Sequence, residues 1–204
     1  NQWRTYNLNL NDPCEGVGGD APNGFFNVAS VGIEENSAKK PVNYVLPPGI
    51  DRVQALGAQT NQFVAQNEQA LAINACDLKD CGRKAVFKNL TLDVRRYKQL
   101  KMFIHANKVA GELPVKNDEV TAFIRIGSDF VDNYYEYEAA LKYTATNARS
   151  PLEIWPSENT VNLEIQNFVD AKLRRDQNPN NKIDDRTEDF DYGAIDPHKK
   201  IFIK

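Results

Sequence analysis

The sequence lacks the features that mark several common functional classes. No apolar run approaches the ~18 residues that suggest a membrane-spanning helix. Lys and Arg total 25 against 28 Asp and Glu, a formal net charge of -3, so the chain has no basic excess of the kind that nucleic-acid-binding domains carry. Neither a GxSxG motif nor an internal repeat of solenoid length is present. These absences argue against a membrane helix, a nucleic-acid partner and a serine hydrolase.

Cysteine and histidine are also scarce. The 3 cysteines are Cys14, Cys76 and Cys81, without a CxxC pair, and the 2 histidines are His105 and His198. Zinc is therefore not expected, and no nucleophile motif accompanies either histidine. Because Cys76 and Cys81 bracket a turn-like stretch, a small disulfide loop and two separate thiols are both open. The sequence assigns no catalytic residue and no cofactor.

What the chain does contain is repeated alternation of apolar and polar residues. It runs through 68–75, where Leu71 and Ile73 share one face, and recurs in 90–95, 100–106 and 120–126. This period of two is typical of half-buried strands, and the turn residues between the runs favour antiparallel sheets. We predict a mainly β fold, an antiparallel β-sandwich (jelly-roll-like) with a short C-terminal helix and an irregular N-terminal segment.

The clearest element is a tyrosine-dense strand pair between Val120 and Leu141. Gly127-Ser128-Asp129 opens its connection and Asn133 closes it. Alternation places two sets on opposite faces: Tyr135, Tyr137, Ala139 and Leu141 on one, and Tyr134, Glu136 and Glu138 on the other. We expect Arg125 to meet Glu136 or Glu138 across the pair, with the register open. Glu136 and Glu138 on one face could also supply the two carboxyls of a glycosidase, but a solvated face opposite an arginine is the favoured interpretation.

The pattern predicts three regions along the chain. Residues 1–50 are an irregular wrapping segment, 51–175 a β-sandwich domain, and 176–204 a polar loop with a terminal strand. Near the end of the domain, alternation at Val161 and Leu163 predicts a strand. A helix follows, whose apolar face is predicted to hold Ile165, Phe168, Val169, Lys172 and Leu173.

Calcium is the one metal for which the sequence offers a candidate set of ligands. Asp176, Asn178, Asn180 and Asp184 occupy the first, third, fifth and ninth places of an EF-hand-like loop. The turn glycine and the final glutamate of that loop are both replaced, and a missing bidentate acid weakens such sites. Calcium in the Asp176–Asp184 loop therefore stays open, and no metal ligand is assigned.

Longer strings carry a more specific resemblance than any motif. They are Tyr44-Val45-Leu46-Pro47-Pro48-Gly49-Ile50-Asp51-Arg52, Asn67-Glu68-Gln69, the run from Asp93 to Ala106, the run from Val120 to Asp129, Asn133-Tyr134-Tyr135-Glu136-Tyr137-Glu138, and Trp155-Pro156-Ser157-Glu158-Asn159. Together they resemble the SprA/Sov family of Bacteroidetes, cell-surface gliding-motility proteins that form the outer-membrane translocon of type IX secretion. The similar blocks lie in order between residues 41 and 175.

The resemblance implies a very large β-barrel with extramembrane insertions. Because its strands are short and their outward positions charged, this chain is expected to be a soluble inserted domain rather than barrel wall. The implied role is structural and non-catalytic, at the outer membrane or cell surface on either face. The implied partners are other secretion-system proteins and secreted cargo.

A competing hypothesis is a carbohydrate-binding module of a cell-surface protein. It requires exposed aromatic rings on which sugars stack, and Tyr134, Tyr137 and Trp155 are the candidates.

Overall fold

The chain forms two compact units. The computed structural model describes residues 3–7, 25–56, 63–76, 78, 82–108, 115–130, 133–177, 190–191 and 199–203. The first unit comprises Asn1–Lys39, Asn43–Leu46 and Ile50–Leu92; the second comprises Lys40–Val42, Pro47–Gly49 and Asp93–Lys204. Every strand pair in the described ranges is antiparallel, which confirms the mainly β class. The sandwich or jelly-roll layering and the three-region division stay predictions. The irregular character expected of the N-terminal segment is wrong at Phe25–Gly32, which form an eight-residue strand because a distant strand, Gln69–Cys76, pairs with them.

In the first unit the described strands pair two by two. They are β1 (Arg4–Asn7), β2 (Phe25–Gly32), β3 (Gln54–Leu56), β4 (Phe63–Ala65), β5 (Gln69–Cys76) and β6 (Lys84–Phe87), with a single helical turn, α1 (Ile33–Asn36), after β2. The pairs are β1 with β6, β2 with β5 and β3 with β4. Two-stranded ribbons cover little of their own surface. Among the described hydrophobic side chains of this unit, Tyr44 is the one that is buried.

The second unit builds a larger sheet and packs it. Its elements are β7 (Gln99–Met102), β8 (Thr121–Gly127), β9 (Tyr134–Ala140), α2 (Pro151–Ile154), β10 (Val161–Glu164), α3 (Ile165–Gln177), β11 (Phe190–Asp191) and β12 (Lys199–Ile203). Four strands form one sheet in the order β11-β12-β9-β8, and β7 pairs with β10. No described helix is both long and apolar enough to cross a membrane.

The hydrophobic core lies on one face of this sheet. Ile124, Tyr137 and Ile201 are aligned across β8, β9 and β12, and Tyr137 and Ile201 are buried. Helix α3 covers the same face, with the Phe168 ring centroid 5.2 Å from that of Tyr135. Val161 and Leu163 from β10 complete the cluster, and both are 0 % exposed. The predicted strand pair, the strand at 161–163 and the C-terminal helix are therefore confirmed.

One strand prediction is wrong and another is wrong in part. The alternation at 90–95 does not form a strand: Leu90 and Leu92 are exposed, and a 3-10 turn begins at Val94. The Asp93 carboxylate caps that turn by accepting a hydrogen bond from the Arg95 N–H at 3.2 Å, a local bond that competes with strand pairing. The run at 100–106 is strand only to Met102.

The predicted apolar faces are also partly wrong. In β5, Leu71 and Ile73 are 40 % and 51 % exposed, whereas Ala70 and Ala72 on the other face are half-buried. In α3, Val169 and Leu173 are likewise exposed, while Phe168 and Ala171 face the core. Periodicity defines the two faces of an element, but only its neighbours decide which face is covered.

Candidate functional site

Hydrogen bonds close the two ends of the connection between β8 and β9, which runs from residue 128 to residue 133. The Ser128 N–H donates to the Asn133 carbonyl at 3.0 Å. The Asn133 N–H and side-chain amide donate to the two carboxylate oxygens of Asp129, at 3.0 and 2.6 Å. A Cβ on Gly127 would lie 2.7 Å from the Tyr134 Cα, closer than packed atoms allow. Glycine is therefore required opposite Tyr134, because a side chain there would collide with the neighbouring strand.

The hairpin holds a buried ion pair. Arg125 and Glu136 are direct cross-strand neighbours. The Arg125 Nε donates to Glu136 Oε2 at 2.7 Å, and Nη2 lies 2.6 Å from the same oxygen. Arg125 Nη1 donates to the Phe130 carbonyl, and the guanidinium carbon lies 3.8 Å from the centre of the Tyr134 ring. The cation is thus held by a carboxylate, a carbonyl and an aromatic face.

This arrangement confirms the predicted cross-strand contact and overturns its predicted setting. The side chains of Arg125 and Glu136 are 7 % and 0 % exposed, so the face is buried rather than solvated. Glu138, the other glutamate on that face, is placed opposite Phe123 in β8 and Lys200 in β12. A glycosidase needs two carboxyls that reach a sugar, and Glu136 is closed off from solvent. The pair instead ties together the two strands that carry it.

The aromatic rings proposed for sugar stacking are buried as well. Tyr134 and Tyr137 are 2 % exposed and Trp155 is 7 % exposed. The Trp155 ring is contacted edge-on by Phe103 and His105, with centroids 6.4 and 5.7 Å away. The structure therefore removes the residues on which the carbohydrate hypothesis rested.

Asn159 forms a second polar cluster. Its Oδ1 accepts from the Lys142 N–H at 2.8 Å and its Nδ2 donates to the Lys142 carbonyl at 2.8 Å. The side chain thereby imitates a strand partner just beyond β9, and it is 0 % exposed. Nearby, the Thr144 hydroxyl donates to the Ile154 carbonyl at 3.0 Å. These bonds join the segment after β9 to the Trp155–Asn159 string.

A capping box starts α2 next to that string. The Ser150 hydroxyl accepts from the Glu153 N–H at 3.3 Å, and the Glu153 carboxylate accepts from the Ser150 N–H at 3.0 Å. It also accepts from the Arg149 N–H at 3.0 Å. The backbone hydrogen bonds from Arg149 and Ser150 hold the pKa of Glu153 below its ordinary value of 4.5.

In the first unit, Arg52 forms a third cluster. Its Nε donates to the Gln66 carbonyl at 2.8 Å, and its Nη2 donates to the Ala65 carbonyl at 3.0 Å and to Glu34 Oε1 at 2.7 Å. One guanidinium thereby joins β4, the segment after it and α1. The backbone carbonyl of Asn36, in the same helical turn α1, accepts a hydrogen bond from the Tyr44 N–H at 3.0 Å. Burial, and then the neighbouring Glu68 charge, raise the pKa of Tyr44.

Sequence reasoning missed the roles of Arg52 and Asn159, although both lie in the strings that carried the family resemblance. Arg52 ends the first string, and its hydrogen bonds go to carbonyls directly before the Asn67-Glu68-Gln69 string. Membership in these strings was therefore the one sequence signal that pointed to Arg52 and Asn159. Their hydrogen-bond partners could not be predicted, because the partners lie in segments whose position in the fold the sequence does not specify.

Some residues of the other predicted sites lie outside the described residues: Asn178, Asn180, Asp184, Cys14, Cys81 and His198. Calcium binding and the Cys76–Cys81 pairing therefore stay open. Asp176 lies in the last turn of α3. Within the ranges that the structure covers, no three His, Cys, Asp or Glu side chains are grouped to hold a metal ion.

Comparison with known proteins identifies one family. A family model named SprA_N and described as "Motility related/secretion protein" matches residues 1–204, the full length of the chain. A search of curated proteins finds no match.

Proposed function

The chain belongs to the SprA_N family of motility-related and secretion proteins, and from that membership we propose that it is a non-catalytic domain of a very large outer-membrane translocon. In this proposal the translocon serves type IX secretion and gliding motility. The domain lies outside the membrane and contacts partner proteins or passing cargo. The family match over 1–204 is the observation that carries the proposal.

The chemistry of the polar clusters supports a structural role. Arg125, Glu136 and Asn159 each direct their polar atoms to groups of their own unit. Glu136 and Asn159 are 0 % exposed. A catalytic group must reach its substrate, and these groups brace strands and loops instead. The clusters therefore suit a rigid domain that presents surfaces to other proteins.

Excision of the domain from the intact translocon tests this function. Cells carrying the excised protein are expected to lose cargo secretion and gliding, because the proposed contacts are gone. The amount of translocon in the outer membrane must equal that of the parent strain, which separates loss of function from loss of protein. Normal secretion and gliding at equal abundance would contradict the proposal.

The membrane face can be determined separately. Arg95, whose side chain is 84 % exposed, offers a cleavage site for trypsin. Protease added to whole cells cleaves there if the domain lies on the cell surface, and only after the outer membrane is permeabilised if it lies in the periplasm. Resistance in both conditions, while the denatured protein is cleaved, would contradict an exposed extramembrane domain.

A further inference from the structure

The β2–β5 ribbon of the first unit has an unusual composition for an exposed element. Each strand has 8 residues, the longest in the part of the chain that the structure describes. The sequences FFNVASVG and QALAINAC contain no Asp, Glu, Lys, Arg or Pro. The two strands are fully in register from Phe25↔Cys76 to Gly32↔Gln69.

Apolar side chains of this ribbon face solvent. Leu71 is 40 % exposed and Ile73 is 51 % exposed. Ile73 is aligned with Val28, and Leu71 with Ser30, so the four side chains lie on one face. Among the described residues no third strand pairs with β2 or β5. The ribbon therefore presents both an apolar face and two outer edges.

Natural sheets protect such edges. They place lysine, proline or a bulge on the edge strand, because unpaired N–H and C=O groups attract further strands. The β2–β5 ribbon has neither lysine nor proline, and its register is continuous over eight pairs. A two-stranded ribbon is also only marginally stable by itself in water. Both properties suit an element that gains a further strand.

We propose that the outer edge of β5 in the β2–β5 ribbon is a docking edge for an extended, uncharged segment of a partner polypeptide, which adds to the ribbon as a third strand. Main-chain hydrogen bonds provide the affinity in this mode, and alternate side chains of the segment cover Leu71 and Ile73. The inference rests on the proposed partner-contacting function and names the kind of partner segment that it needs.

The lack of charge on the ribbon and the small area of its apolar face both favour an uncharged partner strand over a second copy of the chain. A charged strand would lose hydration against a ribbon that carries no counter-charge, so an uncharged segment fits better. Stacking of two copies through the apolar face would cover only about 26 by 10 Å, or roughly 260 Å² per copy, from standard strand dimensions. A stable interface needs about 800 Å² per partner. Strand addition does not depend on the apolar area alone, because it also forms hydrogen bonds with the backbone N–H and C=O groups at the edge of the ribbon.

A labelled model strand tests the inference without the secretion system. The probe is a fluorescent ten-residue peptide of alternating valine and threonine, and its control has proline at two central positions. Fluorescence anisotropy measures binding to the intact chain, and hydrogen–deuterium exchange locates it. We expect the alternating peptide to bind, the proline peptide not to bind, and exchange to slow in 69–76.

Two variants make the test specific to the ribbon. Leu71→Lys with Ile73→Lys should weaken peptide binding by about fivefold or more, since it removes two apolar cross-strand contacts. Leu152→Lys is the matched control, because Leu152 is 74 % exposed in the second unit, and it should bind like the parent. Circular dichroism must show that both variants are folded.

Three results would overturn the inference. The first is no binding of the alternating peptide, and the second is protection from exchange that leaves 69–76 unchanged. The third is a dimer of the parent chain in sedimentation that the lysine variant abolishes, which would make a second copy the occupant. None of these results bears on the domain-excision experiment, so failure of the docking edge is distinguishable from failure of the proposed function.

Discussion

In the first unit the described strands pair two by two and bury few large apolar side chains, whereas the second unit joins four strands into one sheet and packs a helix against it. Leu71 and Ile73 illustrate the first arrangement, and Val161 and Leu163, both 0 % exposed, illustrate the second. The two units draw on similar alternating sequences. The difference shows that alternation does not by itself make a core, because a core requires a covering layer on one face of the strands.

The polar clusters differ in the same way. In the second unit the Arg125–Glu136 pair is closed off from water, whereas the Arg52 side chain in the first unit is 27 % exposed and its partner Glu34 55 % exposed. A buried charge that loses its partner is strongly destabilising, while an exposed one is rehydrated. Equivalent substitutions should therefore have unequal effects in the two units.

The largest effect is expected for Glu136→Ala. It leaves the Arg125 guanidinium buried without its carboxylate, which should lower the free energy of unfolding by about 3–5 kcal/mol. Urea unfolding measures the loss. Glu158→Ala, at an exposed position, is the control. A double variant, Arg125→Met with Glu136→Leu, should recover most of the stability, and a Glu136→Ala effect no larger than the control's would contradict a buried pair.

The next effect compares the same substitution in the two units. Leu163→Ala should cost about 2–5 kcal/mol of unfolding free energy because it opens a cavity in a packed core. Leu71→Ala should change it by less than about 0.5 kcal/mol, since the side chain already contacts solvent. Urea unfolding of both variants checks this. Similar losses would show that the first unit has a core of its own.

A smaller effect is expected for Arg52→Ala in the first unit. The substitution removes three hydrogen bonds, but partial exposure limits the loss to about 1 kcal/mol. Faster hydrogen–deuterium exchange in 54–56 and 63–65 is the expected signature. Arg52→Lys should not restore protection, because an ammonium group cannot reproduce the geometry of a guanidinium. Full rescue by lysine would show that charge alone matters there.

The smallest effect concerns pH and Glu153. Its pKa is lowered in the folded protein by backbone hydrogen bonds from Arg149 and Ser150. Its stabilisation is therefore present above the ordinary pKa of 4.5 and is lost as the pH falls through the lowered value. The parent should exceed Glu153→Gln in urea midpoint at pH 7, and the difference should vanish at low pH. If the difference in urea midpoint between the parent and Glu153→Gln grew as the pH fell, the pKa of Glu153 would be raised in the folded protein rather than lowered.

The parts of the fold that sequence predicted well are governed by local rules. The β8–β9 hairpin follows from alternation on both sides of a turn built on Gly127, Asp129 and Asn133, and the Arg125–Glu136 contact follows from cross-strand pairing. The 3-10 turn that starts at Val94 was missed because the Asp93 carboxylate accepts a hydrogen bond from the Arg95 N–H, a local bond that competes with the strand predicted from alternation. The Arg52 cluster was missed because its partners lie in other elements.

The sequence by itself determined the antiparallel β class, the position of the principal hairpin, the two faces of its strands and the family. The alternation of side chains along a strand and the residues that favour a turn are both set within a few positions, so they can be read from the sequence. Only the tertiary structure decided that Glu136 is buried and Leu71 is exposed. Burial depends on what packs against a face, and that neighbour can lie anywhere else along the chain.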